Sequence, residues 1–249
     1  MSRGTCLITG ASSGLGEEMA RQFAALGWDL ALCARRVERL ERLRDELRAR
    51  HPDRRIEIAA LDVTDPEAPF TVVRQLADTL GGLDRVIVNA GLGKGAALGT
   101  GRHDANRQTA MTNFVGALAQ TEAALEHFRE RGGGHLVLIS SVSALRGMRR
   151  AMTTYAASKA GVAALAEGIR SERVPGVDVS VIYPGYIRSE MNAHVAHRTK
   201  FMVDTPTGVR AMVRAIERRR TNARVPAWPW APIGTAMKLL PLSVVRRMV

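Results

Sequence analysis

The stretch "TCLITGASSGLG" (residues 5–16) decides the fold. Its first five residues form a short apolar run of strand length. Gly10, Gly14 and Gly16 then interrupt the chain, and a helical pattern follows over about residues 14–27. Glycines at such a junction allow a tight turn, close approach of backbone to a pyrophosphate, and close packing of helix on sheet. The helix N-terminus meanwhile turns its free amides toward an anion. The spacing is G-x3-G-x-G, not the general G-x-G-x-x-G, so the turn counts mainly for its place between a first strand and a first helix.

The same alternation continues along the chain. Strand-like runs occupy 29–34, 56–62, 83–91, 132–141, 177–185 and "ARVPA" (223–227). Helical patterns lie between them at 36–50, after Pro66, over 104–131 as one long helix, over 153–173 and near 206–220. Strand-helix alternation of this kind predicts an α/β fold, a doubly wound, mostly parallel seven-stranded sheet with helices on both faces. With no repeat, low-complexity tract or linker, residues 1–249 read as one domain. Ligands of such sheets bind outside the carboxyl ends of the strands, so the residues just after each strand are the candidates for a site.

Composition narrows the class. Apolar residues make up 46% of the 249 and charged residues 24%, ordinary values for a globular protein, while aromatics are scarce at 4%. No stretch reaches the roughly 18 uninterrupted apolar residues of a membrane span. The start runs directly into a strand, without the pattern of a signal peptide. Cys6 and Cys33 sit in separate apolar runs and read as buried free thiols. A cytoplasmic location is expected. The net charge of +12 is uneven, with 12 Lys or Arg against Glu190, Asp204 and Glu217 from residue 188 onward. Such a surface attracts nucleic acid, anionic lipid or a phosphorylated ligand, or is a solvated arginine-rich face. Groove-reading motifs and stacking aromatics are lacking, so nucleic acid is not an expected partner.

About 20 residues beyond the glycines, a dinucleotide site needs a group for the adenosine ribose. An acidic side chain there bonds a 2′-hydroxyl and repels a 2′-phosphate. This chain has "CARR", with Arg35 and Arg36 at that point and no carboxylate before Glu38. Guanidinium groups suit a 2′-phosphate, which predicts NADP(H) over NAD(H).

"TGASSGLG" (9–16), "LDV" (61–63), "NAG" (89–91), Asn113 in "MTNFVG", "ISS" (139–141), "YAASK" (155–159) and "YPGYIRSEM" (183–191) occur in that order. Together they resemble the short-chain dehydrogenase/reductase family, of the NADP-preferring reductase type, over residues 5 to about 226. The resemblance implies a Rossmann-type fold and an NADP(H)-dependent interconversion of a carbonyl and a secondary alcohol. It places Gly10, Ser12, Ser13, Gly14, Leu15 and Gly16 at the cofactor, with Asp62 and Val63 at the adenine. Asn89, Ala90 and Gly91 support the cofactor and the central strands. Ile187 and Ser189 hold the nicotinamide carboxamide, beside Pro184 and Gly185. Catalysis falls to Asn113, Ser141, Tyr155 and Lys159, the last two also touching the cofactor. Family members commonly form dimers or tetramers through the Tyr155 helix and its neighbour, so a homodimer or homotetramer is expected.

The chemistry explains these residue types. Carbonyl reduction needs a hydride at carbon and a proton at oxygen, which a tyrosine hydroxyl can donate. An unperturbed phenol, with pKa about 10, is barely ionised at neutral pH, and an ammonium nearby is expected to lower that value. Lys159 follows Tyr155 by one helical turn and shares its face. Ser141 is expected to orient the substrate oxygen, and in the family Asn113 holds a water that relays protons from Lys159 to solvent. The spacing from Ser141 to Tyr155 is one residue longer than the most usual, which leaves Ser143 as a rival. Val88 stands where the family often has a second asparagine.

His194 and His197 form an H-x2-H pair with no third ligand in view, so no metal site is expected. Residues 92–103, 144–152 and 188–204 should set substrate choice, the last as a substrate-covering segment. Arg146, Arg149 and Arg150 are expected at the mouth of the site, giving an apolar pocket with a basic rim for an apolar or lipid-like substrate. The tail 227–249 carries Trp228, Trp230, Leu239, Leu240, Val244 and Val245 among Lys238, Arg246 and Arg247. It reads either as an interfacial membrane anchor or as a segment packing over the cleft or across a subunit interface. The alternative function is a non-catalytic dinucleotide-binding regulatory or peripheral membrane protein on the same fold.

Overall fold

The computed structural model describes residues 2–192 and 201–248. Seven strands, β1 (Thr5–Thr9), β2 (Asp29–Ala34), β3 (Ile56–Ala60), β4 (Arg85–Val88), β5 (Gly134–Ile139), β6 (Val177–Pro184) and β7 (Asn222–Val225), form one sheet. Their order is β3-β2-β1-β4-β5-β6-β7, and every pairing is parallel. The chain therefore reverses its direction of winding between β1 and β4, which opens a crevice beyond their carboxyl ends.

The helices are α1 (Gly14–Ala25), α2 (Val37–Arg50), α3 (Ala68–Leu80), α4 (His103–Ala110), α5 (Gly116–Arg131), α6 (Met152–Glu172), α7 (Thr205–Glu217), α8 (Ala227–Leu239) and α9 (Leu242–Met248). Two apolar cores, one on each face, hold them to the sheet. Met19 and Phe23 of α1, Leu40 of α2 and Met212 of α7 pack on one side. Leu76 of α3, Phe128 of α5 and Val162 of α6 pack on the other. Because both faces are covered, β1 and β2 are buried along their whole length, and their sequences run apolar without alternation.

The predicted helix over 104–131 is broken into α4 and α5 by a π-helical turn, Met111–Val115. Such turns often occur at functional sites, and this one carries Asn113. The predicted strand 83–91 pairs only over Arg85–Val88, since Asn89 and Ala90 turn their amides to the Thr9 hydroxyl instead. At the amino end of the sheet, Arg85 is buried. It bonds His135 through Nε at 3.0 Å and Glu217 through a terminal nitrogen, and it stacks on the Trp28 ring at 4.1 Å. Desolvation, with Arg85 adjacent, lowers the His135 pKa to about 3.

Among the described residues no helix is long and apolar enough to cross a membrane. Cys6 and Cys33 are buried free thiols, each pushed up to about 12 by burial.

Candidate active site

The turn after β1 takes its shape from two glycines. Gly10 has φ +66°, and a side chain there would put Cβ 2.9 Å from the Ala90 Cα. A Cβ on Gly16 would collide with the Gly10 carbonyl oxygen, so α1 starts as close to the sheet as its backbone permits. Ser13 precedes α1, and no side chain caps that N-terminus. Its amides therefore face the crevice free to meet an anion.

One cleft of about 650 Å³ lies over these carboxyl ends. Gly10, Ser12, Ser13, Gly14, Leu15 and Gly16 form its floor beside Arg35 and Arg36 at the end of β2. Asp62 and Val63 follow β3, and Asn89, Ala90 and Gly91 follow β4. Ser141 and Ser143 follow β5, Tyr155 and Lys159 come from α6, and Pro184, Gly185, Ile187 and Ser189 close the far wall. The structure thus brings together every candidate but Asn113, which is buried just behind the lining.

Asn113 fixes the chain after β4. Its Oδ1 accepts from the Leu92 amide at 2.8 Å, and its Nδ2 donates to the Leu92 carbonyl at 2.9 Å. A Cβ on Gly91 would stand 3.2 Å from Asn113 Oδ1 and 3.4 Å from Lys159 Nζ. The absence of a side chain at Gly91 lets these two groups approach each other. Asn106, which the sequence reading passed over, makes a matching pair of bonds to the amide and carbonyl of Ala96. Together the two asparagines hold the loop that starts the substrate region. A buried asparagine in the helix that follows a loop carries no local signature that would have singled out Asn106.

Burial raises the Tyr155 pKa, while the Ser141 hydroxyl draws it back in part and Tyr186 raises it further. Ser141 Oγ also accepts from the Ser143 amide at 3.1 Å. Ser140 points away, its hydroxyl bonded to the Lys159 carbonyl at 2.8 Å. Lys159 Nζ donates to the Ile139 carbonyl at 2.9 Å, and desolvation lowers its pKa to about 8. Lys159 is not among the groups that shift Tyr155 here. Here desolvation dominates the phenol, and the ammonium is drawn to the end of β5.

At the adenosine end, Arg36 Nε donates to Ser12 Oγ at 3.3 Å and a terminal nitrogen donates to Ser13 Oγ at 2.6 Å. Asp62 accepts from the Thr64 amide and hydroxyl and faces Arg35, which together hold its carboxyl below the usual range.

One correction concerns the rim. Arg146 is tied back, donating to the Leu240 carbonyl at 3.1 Å, so of the three arginines expected at the mouth only Arg149 and Arg150 are exposed. The tail packs behind the lining: Trp230 of α8 is buried against Gly185, edge-on to Tyr186 with ring centroids 5.1 Å apart. Trp228 and Leu239 are each 79% exposed. His194, His197 and Arg198 lie outside the described residues. Among the described residues no group of three or more His, Cys, Asp or Glu side chains is placed to hold a metal ion.

The glycine turn, the order of the strands and the Ser-Tyr-Lys cluster recur in a known family, whose sequence model, described as short chain dehydrogenase, matches residues 4–200. The chain belongs to the short-chain dehydrogenase/reductase family and is an oxidoreductase of it. It is 54% identical over 248 residues to an "Uncharacterized oxidoreductase" of Mycobacterium tuberculosis, covering 99% of this chain and 98% of that one. It also resembles a short-chain dehydrogenase from Sphingobium yanoikuyae solved in complex with NADPH. Identity there is 26%, the TM-score is 0.81, and 96% of this chain and 97% of the other are covered. A short-chain dehydrogenase/reductase from Burkholderia phymatum in complex with NAD shares the fold, with TM-score 0.84 at 20% identity over 99% and 95% of the two chains.

Proposed function

We propose that this short-chain dehydrogenase/reductase is an NADP(H)-dependent reductase of apolar ketones or aldehydes. The observation that carries the reading is one cleft with an arginine-serine anion site at one end and the Ser141-Tyr155-Lys159 cluster at the other. The donor set fits a dinucleotide: an uncapped helix N-terminus for the pyrophosphate, and Arg35 and Arg36 for a 2′-phosphate.

Bound NADPH would supply the hydride. Ser141 holds the substrate oxygen toward Tyr155, whose phenol stays protonated because burial raises its pKa. A neutral phenol donates a proton as charge develops on that oxygen. Lys159, with a pKa near 8, positions the ribose hydroxyls and returns a proton to the phenol. Asn113 keeps the chain around Gly91 in place beside Lys159. Ile187 and Ser189 serve the nicotinamide side.

Leu92, Met152, Tyr186, Met191 and Met202 line the substrate end. Flexible thioethers and aliphatic groups suit a bulky apolar substrate and offer a polyol few partners. Met191 and Met202, on either side of residues 193–200, border this end. NADPH oxidation against ketones and aldehydes of increasing chain length tests the reading. Turnover should rise with chain length and favour NADPH over NADH; turnover of small sugars alone, or equal efficiency with both cofactors, would overturn it.

A further inference from the structure

Glu190 stands in the anion site just described. It lines the cleft directly after Ser189. Its Oε2 accepts from Arg36 at 3.1 Å and its Oε1 from Arg39 at 2.5 Å. The same Arg36 guanidinium is held by Ser12 and Ser13 on its other nitrogens. Two guanidinium groups therefore converge on one carboxylate, 154 residues from Arg36 in sequence, and two serine hydroxyls hold Arg36 in place. Two cations facing a single negative charge leave an excess of positive charge that a phosphate dianion neutralises better.

We infer that Glu190 is an internal anion occupying the 2′-phosphate subsite, and so a residue that sets cofactor specificity by competing with NADPH. This rests on the reading of Arg36 as the 2′-phosphate ligand. The carboxylate and the phosphate want the same guanidinium edge, and both are negative. Loading a 2′-phosphorylated cofactor must displace Glu190 from Arg36, leaving it Arg39 or solvent. Loading NADH need not. The bonds also join the turn after β6 to the start of α2 across the cleft. Because Glu190 and both arginines are about half exposed, the competition is modest and screened by salt.

The test is equilibrium binding of NADPH, NADH, 2′,5′-ADP and 5′-AMP to the full-length protein, measured by calorimetry at low and high salt. Glu190→Gln should bind NADPH and 2′,5′-ADP about 3- to 10-fold more tightly at low salt, with a smaller gain at high salt. NADH and 5′-AMP should change less than twofold. Arg36→Ala, measured alongside, should weaken NADPH and 2′,5′-ADP selectively. If Arg36→Ala weakens them while Glu190→Gln leaves them unchanged or weaker, the inference fails and the NADPH reading survives. An equal gain for all four ligands also overturns it, since that would mark a general opening of the cleft. Should Arg36→Ala leave NADPH binding intact, the NADPH reading fails and the inference falls with it.

Discussion

Lys159 Nζ donates to the carbonyl oxygen of Ile139 at 2.9 Å, so the ammonium of α6 is pinned to the last residue of β5. The bond keeps a buried cation satisfied, yet desolvation still lowers its pKa from 10.5 to about 8. Below pH 8 the group is charged and can hold ribose hydroxyls with charge-assisted bonds. As pH rises through about 8 that charge is lost. The kcat/KM for NADPH, which reports the free enzyme, should therefore fall above pH 8, approaching tenfold per unit. Lys159→Met should be low throughout and show no inflection there. A wild-type profile flat to pH 10 would contradict the assignment.

Tyr155 is the proton donor in the proposed reaction, and phenylalanine fills the same space without the hydroxyl. Tyr155→Phe should lower kcat by about 10²–10⁴-fold and leave NADPH affinity within a few-fold. Steady-state turnover and cofactor binding separate the two effects.

Ser141 rather than Ser143 acts on the phenol's pKa, and the Ser143 amide donates to Ser141 Oγ. Ser141→Ala should cost about 10²-fold or more in kcat, as loss of an oxygen-orienting donor does elsewhere. Ser143→Ala keeps the amide and should stay within a few-fold of wild type. Equal losses would reassign the donor.

The Arg85 guanidinium is buried with Glu217 as its carboxylate partner. Glu217→Gln removes that charge and leaves a buried cation undercompensated, which should cost about 3 kcal/mol in urea unfolding.

His135, joined to Arg85 and to Ser180 at 2.8 Å, is held neutral with a folded pKa near 3. Its unfolded value is about 6.5, so below that pH the unfolded chain binds the extra proton. Stability from this group is complete above pH 6.5 and drains away as pH falls toward 3, by at most about 1.4 kcal/mol per unit. His135→Gln should flatten that part of the stability-pH curve.

Much of the scaffold was legible because its signals are local. Short apolar runs with glycine or proline at their ends marked the seven strands, and the turn at Gly10–Gly16 located the crevice. The candidate side chains lay just past strand ends, where the topology gathers them. What stayed hidden depends on contacts between distant segments. The phenol's environment is set by its burial in the cleft, which the Tyr155-x3-Lys159 spacing does not encode. Arg146 reads as one more surface arginine until α8 and α9 bring the Leu240 carbonyl to it. Glu190 meets Arg36 only because the chain beyond β6 reaches back across three intervening strands, and the buried Arg85 network assembles β4, β5, β6 and α7. No period of 2 or 3.6 residues encodes such meetings.

The indole of Trp230 stands so close over Gly185 that no β-carbon fits between them. These two positions are locked as lock and ward: a larger residue at 185 demands a smaller one at 230. Redesign of the acceptor chamber in this protein would have to trade bulk between the two together, treating α8 as a buttress behind the reaction chamber.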